Sequence, residues 1–144
     1  MMTTMNAALN TVLDLALARS VVVREVDADL GTFHGVSLSD LALLLELRDA
    51  PERKLRRVDL AARLGVTTSG VARQLAPLER IGLVGRESHA RDARLALVVL
   101  TETGARIADE AERTAGDVAE RTLSERWSAP DQDRLKKLLG QVRA

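Results

Sequence analysis

The chain has 144 residues, 46% apolar and 29% charged, so it can bury one core and is not composed like a disordered tail. Its 21 basic and 21 acidic residues cancel, and it has no cysteine, which excludes disulfides, thiolate catalysis, cysteine zinc sites and thiol redox sensing. With one Phe and one Trp, the core must be built of Leu, Val and Ala, a mixture that favours helices and offers no aromatic platform for single-stranded nucleic acid.

Met1 to Asn6 shows no cationic start ahead of an apolar run and no small-residue cleavage pattern, and no apolar stretch has the roughly 18 to 20 residues of a membrane span. A cytoplasmic protein without a membrane partner is expected. Leu9, Val12, Leu13, Ala16, Leu17, Val23, Val26 and Leu30, spaced mostly by three and four, read as one long helix, apolar on more than one side through Val21-Val22-Val23. Such a helix packs on a second subunit as well as on its own core. Gly31 to Val36 is expected to break it.

Ser37 or Ser39 can cap a second helix with Leu41, Leu44, Leu45 and Leu47 inward, stopped at Pro51. Leu60, Ala61 and Leu64 then form a short helix ended by Gly65, with no Ser, Thr or Asn cap at its start. Thr67 can cap a helix over 67–81 in which Val71, Leu75 and Leu78 share one face, while Ser69, Arg73 and Arg80 lie roughly opposite. Pro77 removes one hydrogen bond from it, and a kink is expected there.

After Gly82, segments 83–88 and 94–100 read as the two strands of a hairpin with the charged tip 88–93. From Thr101, the positions Ile107, Ala108, Ala111, Ala115, Val118, Ala119 and Leu123 define a helical face of mostly small residues, suited to close approach of another helix. Ser128 and Asp131 fit a capping box opening a last helix with Leu135, Leu138, Leu139 and Val142 inward.

The charges are not evenly spread. Residues 1–52 hold three basic against eight acidic residues, whereas 53–94 hold ten basic residues against Asp59, Glu79, Glu87 and Asp92. A basic centre between acidic ends marks a local polyanion site. That block contains two short helices about a tight turn, with small Ala61 at the crossing, Gly65 at the turn and Val71 in the core. In this geometry the second helix enters a major groove with its N-terminal half leading, which brings Thr67, Thr68, Ser69, Arg73 and Gln74 to the DNA.

The run TTSGVARQLAPLERIGLVGRE, followed by Asp92-x-Arg94-x-x-x-Val98-x-Leu100-Thr101-x-x-Gly104, resembles the winged helix-turn-helix regulators of the MarR family, and the resemblance covers nearly the whole chain. It implies a mainly α fold with a small β-hairpin wing and long N- and C-terminal dimerisation helices. The chain 1–144 would be a single domain, with the DNA-binding lobe at 38–100 and the dimerisation region at 1–37 and 101–144. It further implies a homodimeric repressor on a pseudo-palindromic operator in double-stranded DNA. Arg91 and Arg94 match the wing's basic positions, and Asp92 would pair with an arginine to hold the wing in shape. Leu9, Leu13, Ala108, Ala111, Leu135, Leu138, Leu139 and Val142 would serve dimerisation.

Regulators of this kind are released by a small, often phenolic or anionic, molecule entering between the dimer helices and the reading lobe. Arg19, Arg24 and His34 are the weak candidates to meet such an effector. No phosphate-binding loop, His-Glu-x-x-His or Gly-x-Ser-x-Gly pattern is present, so neither catalysis nor a cofactor is expected. Asp27, Asp29 and His34, the one loose group of metal-ligand types, read as the fraying end of the first helix. The competing reading is a dimeric scaffold that kept this fold and lost DNA binding.

Overall fold

The computed structural model describes residues 4, 6–89, 91–92 and 95–143; Arg94, with Ala90 and Ala93, lies outside the described residues. Helices α1 (Ala7–His34) and α2 (Leu38–Asp49) are followed by a 3₁₀ turn (Pro51–Arg53), strand β1 (Lys54–Arg56), α3 (Arg57–Leu64) and α4 (Thr68–Arg80). Strands β2 (Val84–Ser88) and β3 (Ala96–Leu100), then α5 (Glu102–Ser124) and α6 (Ala129–Arg143), complete the chain. The mainly helical winged helix-turn-helix expected from the sequence is the fold observed.

Helix α1 does not break at Gly31 but continues to His34, and Gly35 ends it with φ 68°. Burial of Leu30 at the chain's core outweighs the cost of about 1 kcal/mol for one helical glycine. The supposed frayed end is instead tied down: Asp27 Oδ1 accepts the Leu38 N–H at 2.6 Å, and His34 Nε2 lies 2.7 Å from Thr114 Oγ1 of α5. Asp29 pairs with Arg121 at 3.7 Å. No metal-binding group of side chains occurs among the described residues.

Ser37, not Ser39, caps α2, and Asp40 completes a capping box with it. Arg48 joins α2 to α5 through Asp109 at 2.9 Å and Glu112 at 2.6 Å, and this pairing holds the Glu112 carboxyl below the usual range. At the far end of α5, the Thr122 hydroxyl and, just past the helix, the Arg126 guanidinium both bond Glu25 of α1, at 2.9 and 2.5 Å. Those two bonds, Arg126 first, lower the Glu25 pKa.

The core runs from Val26 and Leu30 through Leu43, Leu44 and Leu47 of α2 to Leu60, Val71, Leu75 and Leu78. Ala108 and Ala111 are fully buried in it, which corrects their assignment to a dimer interface: the small side chains let α5 lie close to α1 and α2 of its own chain. Leu138, Leu139 and Val142 are also not inward, since α6 buries no residue at all. No single described helix is long and apolar enough to cross a membrane; α1 and α2 together pass by length and composition but meet at 73°.

Strand β1 was not foreseen. It pairs antiparallel with β3 from Lys54↔Val99 to Arg56↔Leu97, giving a sheet of order β1-β3-β2. Lys54 Nζ reaches across β3 to Glu87 Oε1 of β2 at 2.8 Å.

Candidate nucleic-acid interface

Helix α3 has Arg56 at its N-cap position, which gives no side-chain cap bond, and it is closed by Gly65, whose φ of 68° makes the turn. Thr67 then caps α4 by accepting the Gly70 N–H at 3.0 Å, so its hydroxyl is committed to starting the helix. Val71, Leu75 and Leu78 are buried, and the amphipathic pattern leaves Thr68, Ser69, Arg73 and Arg80 exposed along the outer face. Pro77 does not divide α4; the helix is continuous through it to Arg80.

Gln74 departs from that group. It is half-buried on the inner flank, and its amide donates to Asp40 Oδ1 at 3.3 Å. Glu79, near the end of α4, pairs with Arg86 of β2 at 3.0 Å and so ties the helix to the wing.

In the wing, β2 and β3 pair from Val84↔Leu100 to Ser88↔Ala96. At the tip the His89 N–H donates to the Leu95 carbonyl at 3.0 Å, and the Leu95 N–H donates to the Asp92 carbonyl at 3.0 Å. The Arg91 N–H donates to His89 Nδ1 at 3.1 Å, and the Arg91 side chain is exposed. The backbone of Asp92 thus shapes the tip.

The wing's base explains the Leu-Thr-x-x-Gly spacing. Thr101 Oγ1 donates toward the Gly82 carbonyl at 2.7 Å, lies 3.1 Å from the Leu83 carbonyl, and accepts the Gly104 N–H at 2.9 Å as the cap of α5. Gly104 lies so close to β2 that a Cβ there would sit 2.0 Å from the Leu83 oxygen. One hydroxyl and one glycine lock strand to helix.

Of the basic block, Arg53, Lys54, Arg56, Arg63 and Arg86 each have a carboxylate partner. Arg57, Arg73, Arg80 and Arg91 have no ion pair among the described residues. The pairing of the first set builds the lobe, and Arg73, Arg80 and Arg91 of the second stand on α4 and the wing.

Two hollows lie beside the long helices α1 and α5, the first of them bounded by α2 as well. One, about 360 Å³, is walled by Val22 and Val26 of α1, Leu38, Leu41 and Leu45 of α2, and Ala115, Ala119 and Leu123 of α5, with Glu112 and Thr122 as its polar members. The other, about 330 Å³, is formed by Asp29, Phe33, Thr114, Asp117, Val118 and Arg121. Arg19, Arg24 and His34 line neither, so the sequence reading missed the cleft residues; apolar α1, α2 and α5 positions look like ordinary core until the helices are placed.

Residues 34–95 match the model of the MarR family. No curated protein matches the chain by sequence. Among solved structures, Sco3205 of Streptomyces coelicolor, a MarR family transcriptional regulator in complex with DNA, has a TM-score of 0.84 at 24% identity, covering 99% of this chain and 89% of that one. A cysteine-to-serine variant of MarR from Escherichia coli, complexed with operator DNA, gives 0.81 at 24% identity over 94% of each chain. CouR from Rhodococcus jostii, bound to p-coumaroyl-CoA, gives 0.79 at 21% identity over 97% of this chain and 96% of that one. These likenesses show a common fold from end to end. Residues 34–95, which hold the helix-turn-helix and the first strand of the wing, are the part of that fold that the MarR family model matches.

Proposed function

We propose that this protein is a transcriptional regulator of the MarR family, which binds a pseudo-palindromic operator as a homodimer and represses transcription there. The observation that carries the reading is the set of exposed arginines without ion-pair partners among the described residues, Arg73 and Arg80 on α4 and Arg91 on the wing, beside the hydroxyls of Thr68 and Ser69. Arginine forks match phosphate and guanine edges, and a wing tip of this size reaches the adjacent minor groove. Asp92 shapes that tip, and Arg94 is its second basic position by sequence. The solved structures with DNA named above share the fold, which agrees with this use of it.

The dimer rests on apolar surface that one chain cannot cover. From Ala7 to Val21 every residue of α1 is exposed, Leu9 at 49% and Leu13 at 42%, and in α6 Leu138 is 61% and Val142 78% exposed. A helix standing clear for about 22 Å is marginal in water unless its apolar side is packed. A second copy offers the same stripes in return. Leu135, half-buried, and Leu139 extend that surface.

The apolar cleft between α1, α2 and α5 suits a small effector, and its chemistry narrows the expected phenolic or anionic class. No cation is among its walls, and Glu112 and Thr122 are already bonded to Arg48 and Glu25. An uncharged apolar molecule fits this better than an anion.

The test is selection from a random duplex library, followed by titration of the selected duplex and sedimentation of the complex. An inverted repeat bound by two chains is expected. Selection of no sequence, with only weak salt-sensitive binding, would favour the scaffold reading instead.

A further inference from the structure

Apolar packing of Val71, Leu75 and Leu78 keeps α4 on the lobe, but such contact is non-directional and leaves the helix free to roll about its axis. Hydrogen bonds are directional and can fix the roll. Among the described residues, side-chain bonds tie α4 to other elements at two places: Glu79 to Arg86 on the wing side, and Gln74 to Asp40 on the α2 side.

The second tie ends on a carboxylate already in use. Asp40 Oδ2 accepts the Ser37 N–H at 3.1 Å, and the Asp40 N–H donates to Ser37 Oγ at 3.0 Å, so the group that closes the capping box of α2 also holds Gln74 through Oδ1. One residue on, the Leu38 N–H is held by Asp27 of α1 at 2.6 Å. The reading helix is thereby referred, through one turn of α2, to the long helix α1.

We propose that Gln74 is a positioning residue that makes no DNA contact and sets the angle at which α4 presents Thr68, Ser69 and Arg73, by holding Asp40. This rests on the DNA-binding reading above. Facing the wet side would cost Gln74 its charge-assisted bond, and it would leave Asp40 with an unfilled oxygen in a half-buried place.

A double-mutant cycle decides it, read as affinity for the duplex selected by the wild type. Gln74→Ala is expected to weaken binding about two- to tenfold, the worth of one hydrogen bond, with the base preference and the salt slope unchanged. In an Asp40→Ser background, whose hydroxyl still serves the cap but is too short for Gln74, the same change should add nothing. Thermal melts confirm that each variant is folded at the assay temperature.

Equal losses in both backgrounds, an altered preference at particular bases, or no loss from Gln74→Ala would each overturn the proposal. A wild type that selects no duplex would defeat the DNA-binding reading itself, a result distinct from additive mutants of a protein that binds.

Discussion

Gly104→Ala puts a number on the joint between wing and α5. An added Cβ would lie 2.0 Å from the Leu83 oxygen, 2.9 Å from the Leu83 carbonyl carbon and 2.7 Å from Leu100 Cδ1. Two of those atoms are backbone and cannot swing aside, and relief to an ordinary C···O contact of about 3.3 Å needs a shift of more than about 1 Å. Overpacking of this kind costs about 1 to 3 kcal/mol, and the backbone clash places this case at the upper end. Alanine returns up to about 1 kcal/mol of helix propensity. The net loss is about 2 kcal/mol, or about 4 to 8 °C in Tm for a chain of this size. Melts at fixed protein concentration read it, with Gly31→Ala in α1 as the control, because nothing lies within 4 Å of a Cβ there and a gain of about 0.4 to 1 kcal/mol is expected. Gly104→Ala melting at or above the wild type would refute the close approach, since propensity alone would then be deciding the sign.

Arg73→Ala should weaken operator binding by about 1 to 3 kcal/mol, and a titration against single-base operator variants shows relaxed preference at one position if Arg73 reads a base edge; unchanged affinity would remove α4 from the interface. Arg91→Ala should lower the slope of log K against log salt by about 0.9 if the side chain meets one phosphate, and an unchanged slope would take it off the backbone. Replacing Leu138 and Leu139 together by Asp should give monomers or aggregates in sedimentation, because burying unpaired carboxylates in a dimer costs several kcal/mol; an intact dimer would place the interface elsewhere. The folded pKa of Glu25 lies below its ordinary value of 4.5, so the stability it contributes is present above that value and is lost as pH falls through the folded pKa. Glu25→Gln should therefore flatten the fall of Tm between roughly pH 5 and pH 3, and an unaltered acid limb would show that the Arg126 bond is not felt.

The lobe was legible because its signals are local. Ser37 and Thr67 announce helix starts by their side-chain oxygens, Gly65 announces a left-handed turn, and the Val71, Leu75, Leu78 spacing sets the buried face, all within a few residues. Strand β1 was illegible for the opposite reason: Lys-Leu-Arg has no β-branched residue and alternates over three positions only, and its partner Val99 lies far along the chain. Ala108 and Ala111 show a subtler limit. Their period revealed a face made for a neighbouring helix, but periodicity does not say whose helix arrives, and it was the chain's own. Gln74 meets a similar limit, since one step of 100° separates the wet face from the flank and only the position of Asp40 reveals its bond there.

Helix α5 is seated on the wing's base at Thr101 and Gly104 and bound to α1 at Thr122, with Arg126 just past its end. Its 23 residues make a rod of about 34 Å. Such a rod has mechanical advantage. A tilt of about 5° pivoting at the Glu25 contact carries the wing end through about 3 Å, close to the 3.4 Å between neighbouring bases on one strand. The bonds of His34 and Arg48 along the rod oppose such a tilt, so the same ties that pack α5 on α1 and α2 also hold the wing to within the pitch of the DNA.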